Sequence, residues 1–189
     1  MSSFSAGMWL QSVPTENSNT TQRVIKERFN NALRNECVYG CMQNDIVNCK
    51  VESLVYLVKS RNEVILNLIK LQLSRKTNYF SHDLLVYIFE EMFDERMSWS
   101  FLICYCALIE LVVKYEFEKK DEIGYEYRYC DTSEYAPQVV RFVDYCTAHW
   151  FVQNNTSWMS LLLETEETFT NETVECQLFR KMYILICMY

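Results

Sequence analysis

Apolar residues recur at helical spacing along most of this chain, and in one stretch they run almost without a break. Residues 99–113 read WSFLICYCALIELVV, with Ser100 and Glu110 as the polar exceptions. A helix of that composition has no face to offer solvent and belongs inside a domain, with amphipathic helices around it. At about 1.5 Å per residue it is roughly 22 Å long, the width of a small domain and short of the roughly 20 apolar residues that cross a bilayer. A buried strand is the rival reading of a short apolar run, but the length exceeds that of an ordinary strand and Ser98 stands where a helix cap belongs. Glu110 is expected at the rim of this helix.

The flanking segments carry narrower stripes. Residues 1–19 are rich in Ser and Asn, include Pro14 and keep no sustained period, which predicts a mobile lead-in before a single domain over 20–189. From Thr20 or Thr21 a first helix presents Val24, Ile25, Phe29, Ala32 and Leu33 on one face. A polar connector through Asn48 follows, containing Gly40, Cys37 and Cys41. One long helix is then expected from Val51 to about Leu73, with Val51, Leu54, Val55 and Val58 on one stripe and Leu57, Val64, Leu68 and Leu71 on another. Two stripes imply two partners, or a wall with a face on each side. After a break at Thr77 to Ser81, Leu85, Ile88, Phe89 and Met92 mark the helix that leads into the apolar one.

Beyond Val113 the segment from Lys114 to Pro137 is charged and rich in tyrosine; Tyr125, Tyr127 and Tyr129 alternate as in a short strand, and a loop or a helix extension fits as well. Pro137 suits a first helical turn, and Val139, Phe142, Val143, Cys146 and Trp150 keep helical spacing up to Gln153-Asn154-Asn155. Thr156 or Ser157 caps a short helix with Trp158, Leu161 and Leu162, and Val174, Leu178, Met182 and Leu185 define a last amphipathic helix. Its tail, MYILICMY, is too short to cross a membrane and is expected to pack on the domain or on a partner.

Composition narrows the function. With 189 residues, 50% of them apolar, the chain can bury a sizeable core, and a net charge of −7 with no basic patch disfavours nucleic acid as a partner. Nine cysteines, an odd number with two inside the apolar helix and no signal peptide ahead of them, read as reduced thiols of an intracellular protein. The Asn-X-Ser/Thr triplets are then incidental. Three glycines leave no phosphate-binding loop, and neither histidine belongs to a metal spacing or a nucleophile signature. Cys37 and Cys41, though spaced as a metal pair can be, lack a second pair or a nearby His and read as structural, so an enzyme is not expected, nor a cofactor or metal.

Two segments resemble the Bcl-2 family. HDLLVYIFEEMFDERMSWSFLICYCAL, residues 82–108, is similar to the first homology motif, in which an acidic amphipathic helix turns at a tryptophan into the buried central helix. FVQNNTSW, residues 151–158, resembles the second, with aromatic residues flanking a polar helix break, whereas LVKSRNEV, residues 57–64, is a weak third. The resemblance covers roughly residues 20–170 and implies an all-α, Bcl-2-like bundle of about eight helices around 99–113. It further implies a surface groove for the BH3 helix of a pro-apoptotic Bim-, Bak- or Bax-like protein. Val64, Leu68 and Leu71 would form one wall, Ile88 and Met92 the other, and Phe101, Cys104 and Leu108 the floor, with Trp99 anchoring the turn.

The family's Asn-Trp-Gly-Arg is here Ser98-Trp99-Ser100-Phe101, so the arginine that pairs with the ligand's aspartate is missing. Few glycines, degenerate motifs and no membrane anchor resemble the shortened homologues of large DNA viruses. The resemblance therefore implies a virus-encoded apoptosis inhibitor of narrow ligand range, cytoplasmic in the host cell and associated with mitochondria only through partners. An empty groove predicts a two-fold homodimer. A viral inhibitor of innate immune signalling with a filled groove and a pore-forming pro-apoptotic member are the alternatives.

Overall fold

The computed structural model describes residues 15–34, 46–76, 81–122, 137–164 and 171–189. These residues form eight α-helices: α1 (Thr15–Arg34), α2 (Ile46–Arg61), α3 (Glu63–Arg75), α4 (Ser81–Arg96), α5 (Trp99–Glu122), α6 (Pro137–Asn154), α7 (Trp158–Leu163) and α8 (Glu172–Met188). No strand occurs among the described residues, and the fold is all-α.

The apolar run becomes α5, and every residue from Phe101 to Ile109 is buried. Ser98 caps it, its hydroxyl accepting from Phe101 N–H at 3.1 Å. α1, α2, α3, α4 and α8 all pack against α5, while α6 packs on α1 and α4, and α7 on α2. Burial of each large apolar side chain in this core contributes about 1.5–3 kcal/mol.

Besides the start of α2 at Ile46 rather than at Val51, inside the expected connector, three boundaries differ from the sequence pattern. α1 starts at Thr15, inside the expected lead-in, directly after Pro14, a residue that suits a helix boundary because it lacks a backbone donor. α5 runs on through Glu122, taking the helix extension for the first part of the tyrosine-rich segment; Tyr125, Tyr127 and Tyr129 lie outside the described residues, as do Cys37 and Cys41.

The third difference matters most for the site. The helix expected over 51–73 is two helices bent at Asn62, which adopts φ −113°, ψ 24°. The inward stripe runs Val51, Val55, Val58, Asn62, Leu66, Ile69, Leu73, at spacings of three and four, and all seven side chains are buried. One polar residue in phase with six apolar ones disguises a continuous inward face. The competing stripe faces out, with Val64, Leu68 and Leu71 exposed at 78%, 44% and 47%.

α6 closes with a left-handed residue, Asn155 at φ 48°. Thr156 N–H bonds back to Phe151 C=O at 3.0 Å and Asn155 N–H to Val152 C=O at 3.4 Å, the paired closure of a Schellman turn. This turn drops the chain into α7, whose Ser157 N–H donates to Ser160 Oγ at 3.2 Å.

Candidate functional site

The three elements expected to line a groove, α3, α4 and α5, are bridged by α8. Glu175, Leu178, Phe179, Met182, Leu185 and Ile186 are its buried residues, spaced as one face of an amphipathic helix. Asn171 caps it, accepting from Thr173 N–H at 3.1 Å. α8 runs alongside α3 in the same direction: Glu175 in its first turn meets Asn62 at the start of α3, and the charge of Arg75, at the end of α3, acts on Tyr183. The end of α8 lies on α4, where Tyr189 meets Tyr87 with ring centroids 5.3 Å apart and the rings tilted by 40°.

Where α8 begins, its face is polar. Asn62 Nδ2 donates to Glu175 Oε2 at 3.1 Å and to Val58 C=O at 3.0 Å, so the amide bridges α2 and α8. Both residues are buried, Asn62 at 5% and Glu175 at 1% exposure. Glu175 Oε1 has no hydrogen-bond partner among the described residues, and the nearest cation is the Arg61 guanidinium 4.0 Å away. Burial raises the Glu175 carboxyl above the usual range, opposed by the Asn62 hydrogen bond and the Arg61 charge and reinforced by Glu172. Cys104 on α5 lies within the reach of this charge: burial, then Glu175, then Cys106 push its thiol well above the usual value. A thiol so placed is a poor nucleophile.

The expected site residues divide into two sets. Val64, Leu68 and Leu71 form an outward apolar stripe on α3, because Leu66, Ile69 and Leu73, in helical phase with Val58 and Asn62, take its inward face. Ile88, Met92, Phe101, Cys104 and Leu108 are all wholly buried. Phe101 sits in an aromatic cluster with Phe89, 5.2 Å between centroids, and Tyr105, 5.8 Å, and Phe89 in turn meets Phe142 of α6 at 5.7 Å. It thus packs toward α4 and the α6 side of the core. Trp99 is half-buried against Trp150, Phe151 and Trp158, at 5.2, 5.5 and 5.4 Å between centroids. This cluster joins the start of α5 to the end of α6 and the start of α7.

Asn62 and Glu175 were not singled out by the sequence pattern. Each is a polar residue in phase with an apolar stripe, and that is the signal by which they are found. The same holds for Arg28, which shares the buried face of α1 with Val24, Ile25 and Phe29. Its guanidinium bonds Glu110 Oε1 at 3.0 Å and approaches Glu52 at 3.6 Å, while Lys59 Nζ donates to Glu110 Oε2 at 3.0 Å. Glu110 is therefore not at an open rim: its side chain is 12% exposed and held between two cations from α1 and α2.

Further along α1, Thr21 Oγ1 accepts from Trp158 Nε1 at 2.9 Å, and Gln22 Nε2 donates to Asp144 Oδ2 at 3.2 Å. Burial lifts the Asp144 carboxyl to about 6, against hydrogen bonds from Gln22 and Thr21. Among the described residues no group of three His, Cys, Asp or Glu could hold a metal ion, and no helix is long and apolar enough to cross a membrane. No family model, curated protein or solved structure matches the chain.

Proposed function

We propose that this chain is a virus-encoded, Bcl-2-like inhibitor of apoptosis without catalytic activity, which sequesters the BH3 helices of Bim-, Bak- or Bax-like proteins. One observation carries the reading: the space bounded by α3, α4 and α5 is fitted to an amphipathic helix, because α8 lies in it with apolar residues at positions 178, 179, 182 and 186 turned inward. The homology-like segments at 82–108 and 151–158 support it, since they meet at the Trp99 cluster. A ligand helix acts by replacing α8, and its apparent affinity is lowered by the fraction of chains in which α8 is seated. The expectation of a homodimer loses its premise, because α8 covers the apolar surface that an empty groove would expose.

The experiment is a calorimetric titration of the full chain with a panel of BH3 peptides, alongside amide deuterium exchange of α8. Binding accompanied by faster exchange in 172–188 is the expected result. Absence of binding across the panel rejects the reading.

The occupied groove also favours a second reading, in which α8 stays seated and the chain blocks innate immune signalling through its outer surface. The exposed stripe Val64, Leu68 and Leu71 is then the contact face. A chain that binds no BH3 peptide but loses a signalling partner on Leu68→Lys fits that reading.

A further inference from the structure

We propose that Asn62 is a specificity-determining residue of the groove, and that it demands a side-chain oxygen acceptor, charged or neutral, from any helix that takes the place of α8. The inference rests on the helix-binding reading above and adds a selection rule to it.

Asn62 Nδ2 carries two hydrogens; one donates to Val58 C=O at 3.0 Å and the other to Glu175 Oε2 at 3.1 Å. The first partner belongs to the receptor and stays. The second leaves with α8. A ligand that fills the same space with an apolar side chain strands a buried N–H, and an unmet buried donor is strongly disfavoured. The demand is for an acceptor rather than for a charge. Among the described residues the cation beside Glu175 is Arg61, at 4.0 Å with its side chain 35% exposed, and Oε1 is without a hydrogen bond. The position where a family arginine is missing, Phe101, packs among aromatic rings and offers no donor side chain. In α8 the acceptor stands three and four residues before the first pair of apolar anchors, Leu178 and Phe179.

The test has two arms, both on the full chain. In the first, deuterium exchange of the amides of α8 is followed in Glu175→Gln and Glu175→Ala. The amide variant is expected to stay within about threefold of the native chain, and the alanine variant to exchange at least about fivefold faster. In an Asn62→Ala background the effect of Glu175→Ala is expected to shrink below about threefold. If Asn62→Ala does not fold, the contrast between Glu175→Gln and Glu175→Ala decides alone.

In the second arm a fluorescein-labelled Bim-like BH3 peptide is compared with its aspartate-to-alanine and aspartate-to-asparagine forms. Alanine is expected to weaken binding at least about fivefold and asparagine less than about threefold, with both differences lost on Asn62→Ala. Equal behaviour of glutamine and alanine at 175, or a native exchange rate in Glu175→Ala, overturns the inference. If the first arm holds and no peptide binds, the acceptor site stands and the apoptotic reading fails.

Discussion

α1 and α8 both lie across the central helix, yet they are fastened differently. α1 is tied by charge and hydrogen bonds along its length: Arg28 to Glu110, Gln22 to Asp144, and Thr21 to Trp158. α8 presents an apolar face together with a buried polar contact, Asn62 to Glu175, in which one carboxylate oxygen has no hydrogen-bond partner among the described residues. Glu110 has a cation 3.0 Å from each oxygen, whereas Glu175 has its cation at 4.0 Å. A buried carboxylate with two close cations resists separation, because parting them strands charges in a low dielectric. One with a single amide opposes its own burial. If a ligand helix replaces α8, as proposed above, the second seam is the one expected to open and the first to persist.

The comparison is broken most severely at Arg28. Arg28→Met removes the cation between Glu110 and Glu52, and the loss in urea-measured stability is expected to be about 3–5 kcal/mol, the range for breaking a buried ion pair on one side. A loss below about 1 kcal/mol would mean that Lys59 alone satisfies Glu110.

Next in size is Asp144, also on the α1 seam. Its folded-state value of about 6 lies above the ordinary 3.8, so the folded protein holds the extra proton between those values. The stabilisation that accompanies protonation is complete below 3.8 and is lost as pH rises through about 6. Asp144→Asn keeps an acceptor for Gln22 without the charge. It is expected to raise stability at pH 7 by about 1–2 kcal/mol, after allowance for solvent screening, and to flatten the slope between pH 4 and 6. An unchanged slope in thermal melts would assign the pH dependence to another group.

Glu175 gives a smaller effect of the same sign, because its carboxyl is also raised by burial. Protonation favours the seated helix, so α8 is expected to be held more tightly as pH falls toward the carboxylate range and more loosely at neutral pH. Glu175→Gln should remove that dependence and add less than about 1 kcal/mol to stability at pH 7. Exchange of the α8 amides, corrected for intrinsic chemistry, reads it directly; tighter holding at high pH contradicts it.

The smallest change is expected at Leu68, on the outward stripe of α3. Leu68→Lys should alter stability by no more than about 0.5 kcal/mol in a denaturant titration. A larger loss would mean that a partner or a second copy covers that stripe.

Much of this architecture is legible in the chain. The all-apolar run over 99–113 fixes α5 at the centre, Ser98 marks its cap, and the periodicities around Leu85, Val139 and Leu178 locate α4, α6 and α8 within a few residues. Hidden from the pattern were the positions where polar residues stand in phase with apolar ones. Asn62 interrupts the inward stripe of α2 and α3, so Val64, Leu68 and Leu71 looked like a wall when they are outer surface. Glu175 hides the true start of the inward face of α8 in the same way, and Arg28 with Glu110 conceals a buried pair as two ordinary surface charges. Helical phase tells which residues share a face. It does not tell which neighbour satisfies a polar member of that face, since partners are distant in sequence, as Asn62 and Glu175 are.

The indole corner has a spectroscopic consequence. Trp99, Trp150 and Trp158, three of the four tryptophans in the chain, meet within 5.2–5.4 Å of Trp99, with Trp99 and Trp150 nearly edge to face. Rings that close couple their electronic transitions, so near-ultraviolet dichroism and emission report mainly the junction of α5, α6 and α7. α8 carries no tryptophan, and its aromatic residues are Phe179, Tyr183 and the flanking Tyr189. For these three tryptophans, release of α8 is expected to be nearly silent in emission while opening of the corner changes it strongly, so that their signal distinguishes unseating of a helix from unfolding of the bundle.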